Sequence, residues 1–454
     1  MATTYLYRTP SSAGNRKTWT WSAWIKRARK ADSNNSRLFG AGTGQSDYTS
    51  WFMYAPETTD GRLQFQNRIS GTTTSVKLNR KFFDVAGWYH IVIACDTTQS
   101  SANDRMKFYV NGVQETSFAE FVPPGQNVDT MVNNNVAHNI GAGEATGYTP
   151  RYFSGAMNNV SIVDGAALTA SSFGQTDTAS GIWKFKPPSG VTWGTNGTHL
   201  KFENSGNLGL DSSGQTNNWT LSGNGKQILS TPTNVYATLN SLYTDGGSGI
   251  TYSNGDNTAN VTGNSWCTAM ATIATNKGKW YWEAKITYNN HNEGYIGAAT
   301  TNKMALKTNA THYLGQTTDS VGYYTGNGTI YDGSGTTAYG SAVTTGQILG
   351  CALDLDNNKI YFSINGTWQN SANPSGGTGG FNLPAGMTST SQGNNLIVPC
   401  VSPNESKWDC NFGNGFFGTT AITSAGSNGN GSLFEYDVPS GYYALNTKNL
   451  NTYG

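Results

Sequence analysis

The chain has 454 residues, enough for two or three domains that each bury a core of their own. Only 12% of residues are charged, about half the usual share, and the formal net charge is +1. That balance excludes general attraction to nucleic acid or to an anionic membrane surface. The aromatic content of 12%, with 13 Trp and 24 Tyr beside 56 Gly, separates the chain from disordered sequences and predicts an ordered, turn-rich β protein. No apolar stretch reaches the roughly 18 residues of a membrane span. The start, Met1-Ala-Thr-Thr-Tyr, lacks a charged-then-apolar signal pattern, so synthesis in a cytosol without signal-directed export is expected.

In chain order, Thr18-Trp-Thr-Trp-Ser-Ala-Trp-Ile alternates aromatic and small polar residues at period two, as a strand with one face on a core demands. Further strands are predicted at Trp51–Tyr54, Leu63–Phe65, Trp88–Cys95, Met106–Val110 and Met157–Val163, separated by Gly, Asn, Asp and Thr. Residues 1–173 therefore read as one β-sandwich. Residues 174–234, with Pro187-Pro188 and many glycines, read as a connector that carries strands at Thr198–Phe202 and Trp219–Leu221 and packs on the sandwiches. Residues 235–454 read as a second sandwich with a C-terminal tail. Its strands centre on Lys279–Thr287, Gly294–Ala299, Ser320–Tyr324, Gln347–Asp354, Ile360–Ile364 and Leu396–Val401.

One motif occurs twice. Trp88-Tyr-His-Ile-Val-Ile-Ala-Cys-Asp96 is followed by a polar gap and Lys107-Phe-Tyr-Val-Asn-Gly112. Ile348-Leu-Gly-Cys-Ala-Leu-Asp354 is followed by Lys359-Ile-Tyr-Phe-Ser-Ile-Asn-Gly366. In both, two strands flank a polar turn and the second ends on Asn-Gly, a reversal signal because both residues tolerate positive φ. The repeat predicts two domains of one sandwich type.

Catalytic patterns are missing. A glycosidase needs two carboxylates flanking the scissile bond, and the nearest approach is Glu435-Tyr-Asp437, with no third acid following. Glu203, Glu283, Glu293 and Glu405 are isolated, and Glu283 reads as a strand-surface residue. The five histidines are scattered and no Gly-x-Ser-x-Gly elbow occurs. The five cysteines, Cys95, Cys267, Cys351, Cys400 and Cys410, share no metal-like spacing and read as free thiols. Asp96, Asp104 and Asp129 are conceivable Ca²⁺ ligands, but no metal or cofactor is expected. The sequence predicts a protein that is not an enzyme.

The segments Thr18-Trp-Thr-Trp-Ser-Ala-Trp-Ile-Lys-Arg, Trp88-Tyr-His-Ile-Val and Lys107-Phe-Tyr-Val-Asn-Gly-Val resemble a laminin-G-like, concanavalin A-like jelly roll. Gly278-Lys-Trp-Tyr-Trp-Glu, Gly294-Tyr-Ile-Gly-Ala, Val321-Gly-Tyr-Tyr, Gly350-Cys-Ala-Leu-Asp-Leu-Asp and Ile360-Tyr-Phe-Ser-Ile-Asn-Gly-Thr-Trp resemble a SPRY domain. The expected fold is all-β, two concanavalin A-like jelly-roll sandwiches in tandem. The pairing is similar to virion proteins of tailed, especially marine, bacteriophages. The marks are Tyr5–Trp19, Thr231-Pro-Thr-Asn-Val-Tyr-Ala-Thr-Leu-Asn and Pro439-Ser-Gly-Tyr-Tyr-Ala-Leu-Asn-Thr-Lys-Asn-Leu.

That resemblance implies a virion-surface structural protein, such as a tail fibre or appendage, made in the host cytoplasm. Its expected partners are other virion proteins and a host-surface glycan or protein. A homo-oligomer, with a trimer favoured, is expected, without nucleic acid or membrane insertion. The alternative is an architectural decoration or adaptor acting through protein–protein contacts. Saccharides are held by aromatic faces and planar amides, and the candidate loop aromatics are Trp51, Tyr54, Tyr148 and Tyr152 in the first half, and Tyr324, Tyr331, Tyr339 and Trp368 in the second. Residues 1–31 carry seven basic and no acidic side chains, and Lys26, Arg27, Arg29 and Lys30 would form the dock of the alternative.

Overall fold

Period-two alternation sorts the strand Thr18–Arg27 into two faces. Trp19, Trp21, Ala23 and Ile25 enter one hydrophobic core, while Thr20, Ser22 and Trp24 lie on the other side. In the computed structural model this strand is central in a six-stranded antiparallel sheet. Its order is Thr198–Leu200, Gly155–Asp164, Thr18–Arg27, Tyr89–Asp96, Met106–Val110, Val113–Gln114. The structure describes residues 4–28, 35–53, 60–143, 151–243, 249–290, 293–301, 313–388 and 396–454. The facing eight-stranded sheet runs Phe118–Val122, Thr72–Lys81, Arg62–Ile69, Tyr48–Met53, Ser36–Gly42, His138–Ile140, Tyr5–Arg8, Thr220–Ser222. Phe39, Trp51, Phe65 and Val76 from this sheet meet the tryptophans of the other.

The chain divides into two compact units, Met1–Gln227 and Ile228–Gly454. The division falls inside the stretch read as a connector. Its residues up to Gln227 belong to the first unit, because Thr198–Leu200 pairs with Val160–Ile162 and Thr220–Ser222 pairs with Tyr5–Tyr7. A hairpin of Gly174–Thr176 and Trp183–Phe185 lies over the outer side of the six-stranded sheet, with Trp183 stacked on His90.

The second unit is also a pair of sheets. One runs Ile250–Ser253, Thr258–Val261, Ser406–Asn411, Lys279–Asn289, Ile348–Asp354, Lys359–Ile364, Thr367–Trp368, with Phe381–Asn382 and Tyr443–Ala444 joined at its sides. The other runs Ala269–Met270, Ile397–Pro403, Gly294–Thr300, Ser320–Tyr324, Thr329–Tyr331, Thr336–Ala338. Trp280, Trp282, Ile286, Cys351, Phe362 and Trp408 share its core with Ile296, Val321 and Tyr323. All five cysteines are buried and outside any disulfide, and burial pushes the Cys95 thiol well above its ordinary range.

The repeated motif is one device built twice. Asn111, at φ 48°, donates its backbone N–H to the His90 carbonyl and accepts the His90 N–H on its side-chain Oδ1. Asn365, at φ 46°, makes the same pair of bonds with Ile348. The carboxamide thus stands in for the next ladder rung, while the left-handed backbone starts the reversal. The following glycines, Gly112 at φ 83° and Gly366 at φ 79°, leave room for a covering ring. A Cβ on either would come within 2.6 Å of a ring carbon of Trp183 or Tyr436 respectively.

Two segments more than 200 residues apart, singled out by their resemblance, meet in the second unit. Tyr236 bridges Asn446, Ala237 donates its N–H to the Leu445 carbonyl, and Thr447 donates to the Val235 carbonyl. With Phe434, Val438 and Tyr442 they cover Tyr281, Ala352 and Tyr361 on the outer side of the larger sheet.

Candidate functional site

Two predicted aromatics, Tyr324 and Tyr331, come together on the smaller sheet of the second unit. The register sets Tyr295 opposite Tyr324 and Gly322 opposite Tyr331, so the three tyrosines share one face. Gly322 makes the room. A Cβ there would stand 3.1 Å from the Tyr295 ring and 2.6 Å from the Leu314 Cβ. Trp266 and Tyr313 complete the group, at 5.2 Å and 5.1 Å between ring centroids from Tyr295. Tyr324 and Tyr331 lie 5.6 Å apart, nearly edge to face. Tyr295 is buried at the centre, whereas Trp266, Tyr313, Tyr324 and Tyr331 are half-buried, so their outer faces form an aromatic basin.

A carboxylate closes one side. Glu293 accepts from the Tyr324 hydroxyl on Oε1 at 3.2 Å and from Asn404 Nδ2 on Oε2 at 2.8 Å. Its backbone N–H donates to Asn289 Oδ1 at 3.3 Å. Asn404 is reached through a backbone bridge to Trp266. Burial, with Glu293 alongside, pushes the Tyr324 phenol up to about 12, so it remains a neutral donor at physiological pH. Half-exposed rings bordered by an amide and an acceptor suit a ligand with C–H faces and polar edges.

The other predicted residues lie elsewhere. Trp51 is not a loop residue: it sits in the strand Tyr48–Met53 at 0% exposure. Its ring stacks 4.2 Å from Phe39 and packs on Trp19 and Trp21. Alternation turns Trp51 into the core and Ser50 and Phe52 away, which rules out a ligand-facing role. Tyr339 is also corrected to a core position, packed on Tyr323 and Phe362 with its hydroxyl donating to the Gly379 carbonyl. Trp368 is half-buried beside Tyr281, away from the basin residues in the packing. Tyr152 is half-buried 5.9 Å from Tyr5, beside the exposed Tyr7. Tyr54 and Tyr148 lie outside the described residues.

Two of the four residues of the expected basic dock are enclosed. Lys26 and Arg27 are 5% and 4% exposed, because they end a central strand paired on one side with Ala156 and Gly155. Arg29 and Lys30 lie outside the described residues. The conceivable calcium ligands are engaged otherwise. Asp96 accepts from Thr18, Thr98 and Gln99, Asp104 faces Lys107 at 3.4 Å, and Asp129 lies 3.9 Å from Arg16. Among the described residues, no three His, Cys, Asp or Glu side chains gather as metal ligands.

Glu283 departs furthest from expectation. Read as a strand-surface residue, it is fully buried on the outer side of the larger sheet, under the C-terminal segment. Its carboxylate accepts from the backbone N–H groups of Glu435 and Tyr436 at 2.9 Å each, from the Tyr281 hydroxyl and from Asn411 Nδ2. Burial pushes it up to about 7, against the pull of those donors. A raised carboxyl in a cleft would be a candidate general acid, but four donors from the fold occupy this one.

Sequence reasoning missed Trp266, Tyr295, Tyr313, Glu293, Asn289 and Asn404. One signal was available: both flanking strands were predicted, and pairing their glycines, Gly297 with Gly322, places Tyr295 opposite Tyr324.

Among solved structures, the chain is similar to the SPRY domain of human HERC1, at 17% identity over 38% of this chain and 96% of that one, with a TM-score of 0.29. It is also similar to a heptameric SAP-like pentraxin from Limulus polyphemus, at 18% identity over 37% of this chain and 72% of that one, with a TM-score of 0.27. No curated protein matches the chain. Residues 2–172 match the family model Laminin_G_3, of the concanavalin A-like lectin/glucanases superfamily, and residues 279–414 match the SPRY domain model. With two-sheet packing in both units, the chain carries a laminin-G-type, concanavalin A-like domain followed in tandem by a SPRY domain.

Proposed function

We propose that this is a non-catalytic virion-surface protein of a tailed phage, such as a tail fibre or appendage, that binds a glycan or protein on the host cell. The observation that carries the binding reading is the half-exposed basin of Trp266, Tyr313, Tyr324 and Tyr331, bordered by Glu293 and Asn404. A neutral aromatic surface suits host-surface ligands better than nucleic acid, which is held chiefly through its phosphates. The virion assignment is supported by the end-to-end resemblance of Tyr5–Trp19, Thr231–Asn240 and Pro439–Leu450 to phage virion proteins. The non-catalytic reading is supported by the use of Glu283 and Glu293, whose carboxylate oxygens hold backbone and neighbouring side chains.

The architectural alternative is less favoured, because two of its four dock residues, Lys26 and Arg27, are enclosed. The test is adsorption. Labelled protein should bind candidate host cells saturably and compete with infection, and mass photometry should show an oligomer. Absence of cell binding at about micromolar concentration, where a standard recognition interface is occupied, would reject the adhesin role.

A further inference from the structure

The basin carries a charge that the fold does not balance. Glu293 is half-buried, and only neutral groups engage its carboxylate, the Tyr324 hydroxyl on Oε1 and Asn404 Nδ2 on Oε2. Among the described residues it forms no ion pair with a lysine, arginine or histidine. Other acids of restricted exposure are answered. Asp60 meets Lys77 and Arg62, Glu115 meets Arg80, and Asp354 meets Lys279, all within 3.3 Å. Glu283 has no cation either, but four donors of the fold fill it. A carboxylate oxygen accepts two hydrogen bonds, so Glu293 keeps a lone pair on each. Its charge is felt across the rings: after burial, it is the next cause raising the Tyr324 phenol, and it adds to burial and the neighbouring tyrosines in raising Tyr295. A site that disfavours further negative charge favours a positive one.

We propose that the basin docks a basic segment of a host-surface protein, anchored by an arginine whose guanidinium lies on the half-exposed rings and donates to the Glu293 carboxylate. This rests on the binding reading above and names its partner class. Arginine fits on two counts. Its guanidinium is planar and weakly hydrated, so it stacks on an aromatic face at little desolvation cost. Its N–H fork matches a carboxylate that has one lone pair left on each oxygen. A lysine ammonium meets the charge but holds its water more tightly and offers no flat face. A neutral saccharide leaves the Glu293 charge unbalanced, and an acidic one is repelled by it.

The test uses the full chain and saturation-transfer NMR with blocked tripeptides Gly-Arg-Gly and Gly-citrulline-Gly, and with methyl glucoside. Citrulline keeps the planar head and removes its charge. The arginine peptide should bind at about millimolar Kd, as a single small anchor does, with the citrulline peptide at least about tenfold weaker. Raising the salt from about 20 mM to about 500 mM should weaken the arginine peptide severalfold, because a half-exposed pair is screened. Glu293→Gln should bring the arginine peptide down to the level of the citrulline one. If that variant fails to fold, the citrulline and salt comparisons on the wild type decide the matter. Equal binding of the two peptides would overturn the proposal. Glucoside binding without arginine-peptide binding would overturn it in favour of a sugar site, and binding of no probe would overturn it outright. The adhesin role is separable: arginine-peptide binding without host adsorption rejects that role and keeps the cation site. Adsorption that excess arginine peptide does not inhibit keeps the role and rejects the site.

Discussion

Lowering the pH should destabilise the first unit and spare the second. Three histidines of the first unit are enclosed in neutral form. His90 lies between Trp24 and Trp183, its Nδ1 accepting from the Trp183 indole N–H and its Nε2 facing the Ser22 hydroxyl. Protonation would set N–H against N–H at Nδ1. His138 has the same conflict at Nε2, which accepts the Asn133 backbone N–H. His199 stacks on Trp193 and bonds Asn159. Burial lowers His90 to about 3 and His138 and His199 to about 4, from 6.5. The unfolded chain therefore binds protons that the folded one refuses, so stability is fully present above pH 6.5 and falls as the pH drops toward 4. At pH 5 each histidine costs about 2 kcal/mol, and the three together about 6, a large part of a typical domain's stability of about 5–15 kcal/mol. Glu283 acts with the opposite sign. Raised from 4.5 to about 7, it holds in the folded state a proton that the unfolded chain releases. Acidification from pH 7 to 5 thus favours the second unit by about 2–3 kcal/mol. The assay is hydrogen exchange read by mass spectrometry at both pH values, corrected for intrinsic rates. Slow amides of Tyr89–Asp96 should lose protection at pH 5, and those of Ile348–Asp354 should keep or gain it. Equal losses in both strands, or no loss in Tyr89–Asp96, would refute the reasoning.

Three further outcomes follow from single contacts. Asn365→Ala removes the acceptor of the Ile348 N–H and puts alanine in the left-handed region, so thermal unfolding should show a loss of about 2–4 kcal/mol; Asn365→Asp, which keeps the oxygen, should lose less. Glu283→Gln turns an amide donor toward the N–H groups of Glu435 and Tyr436, and should cost about 3 kcal/mol while freeing the segment around Phe434 to faster proteolysis. Trp51→Ala empties the centre of the first core and should cost about 3–5 kcal/mol by denaturant titration, without the selective loss of ligand binding expected of a site residue.

Much of the scaffold is legible in the sequence because it rests on local rules. Asn-Gly after an alternating strand demands a reversal, and both copies form one with the same two hydrogen bonds. The alternation in Thr18–Arg27 likewise sends Trp19 and Trp21 inward, while Trp24 falls on the opposite face against His90. The misread positions fail for one physical reason, that the neighbouring strand decides them. Trp51 looks like a loop aromatic until the strand is extended back to Tyr48, which fixes its parity. Lys26 and Arg27 look solvated by charge, yet they end a strand with neighbours on either side. Glu283 is an isolated acid in the sequence, and only the return of residues 435 and 436, more than 150 positions later, explains it. The basin is hidden in the same way, since Trp266, Glu293, Tyr313 and Asn404 belong to four separate segments.

In the proposed adhesin role, the half-exposed basin of the second unit contacts the host cell. The direct measurement is a binding isotherm of labelled full-length protein on host cells, wild type beside Tyr331→Ala, with both confirmed folded by their thermal transitions. Wild type should bind saturably and the variant should give at least about a tenfold weaker isotherm, the loss expected when one stacking ring is removed. Superimposable isotherms would contradict it and place the contact elsewhere on the protein.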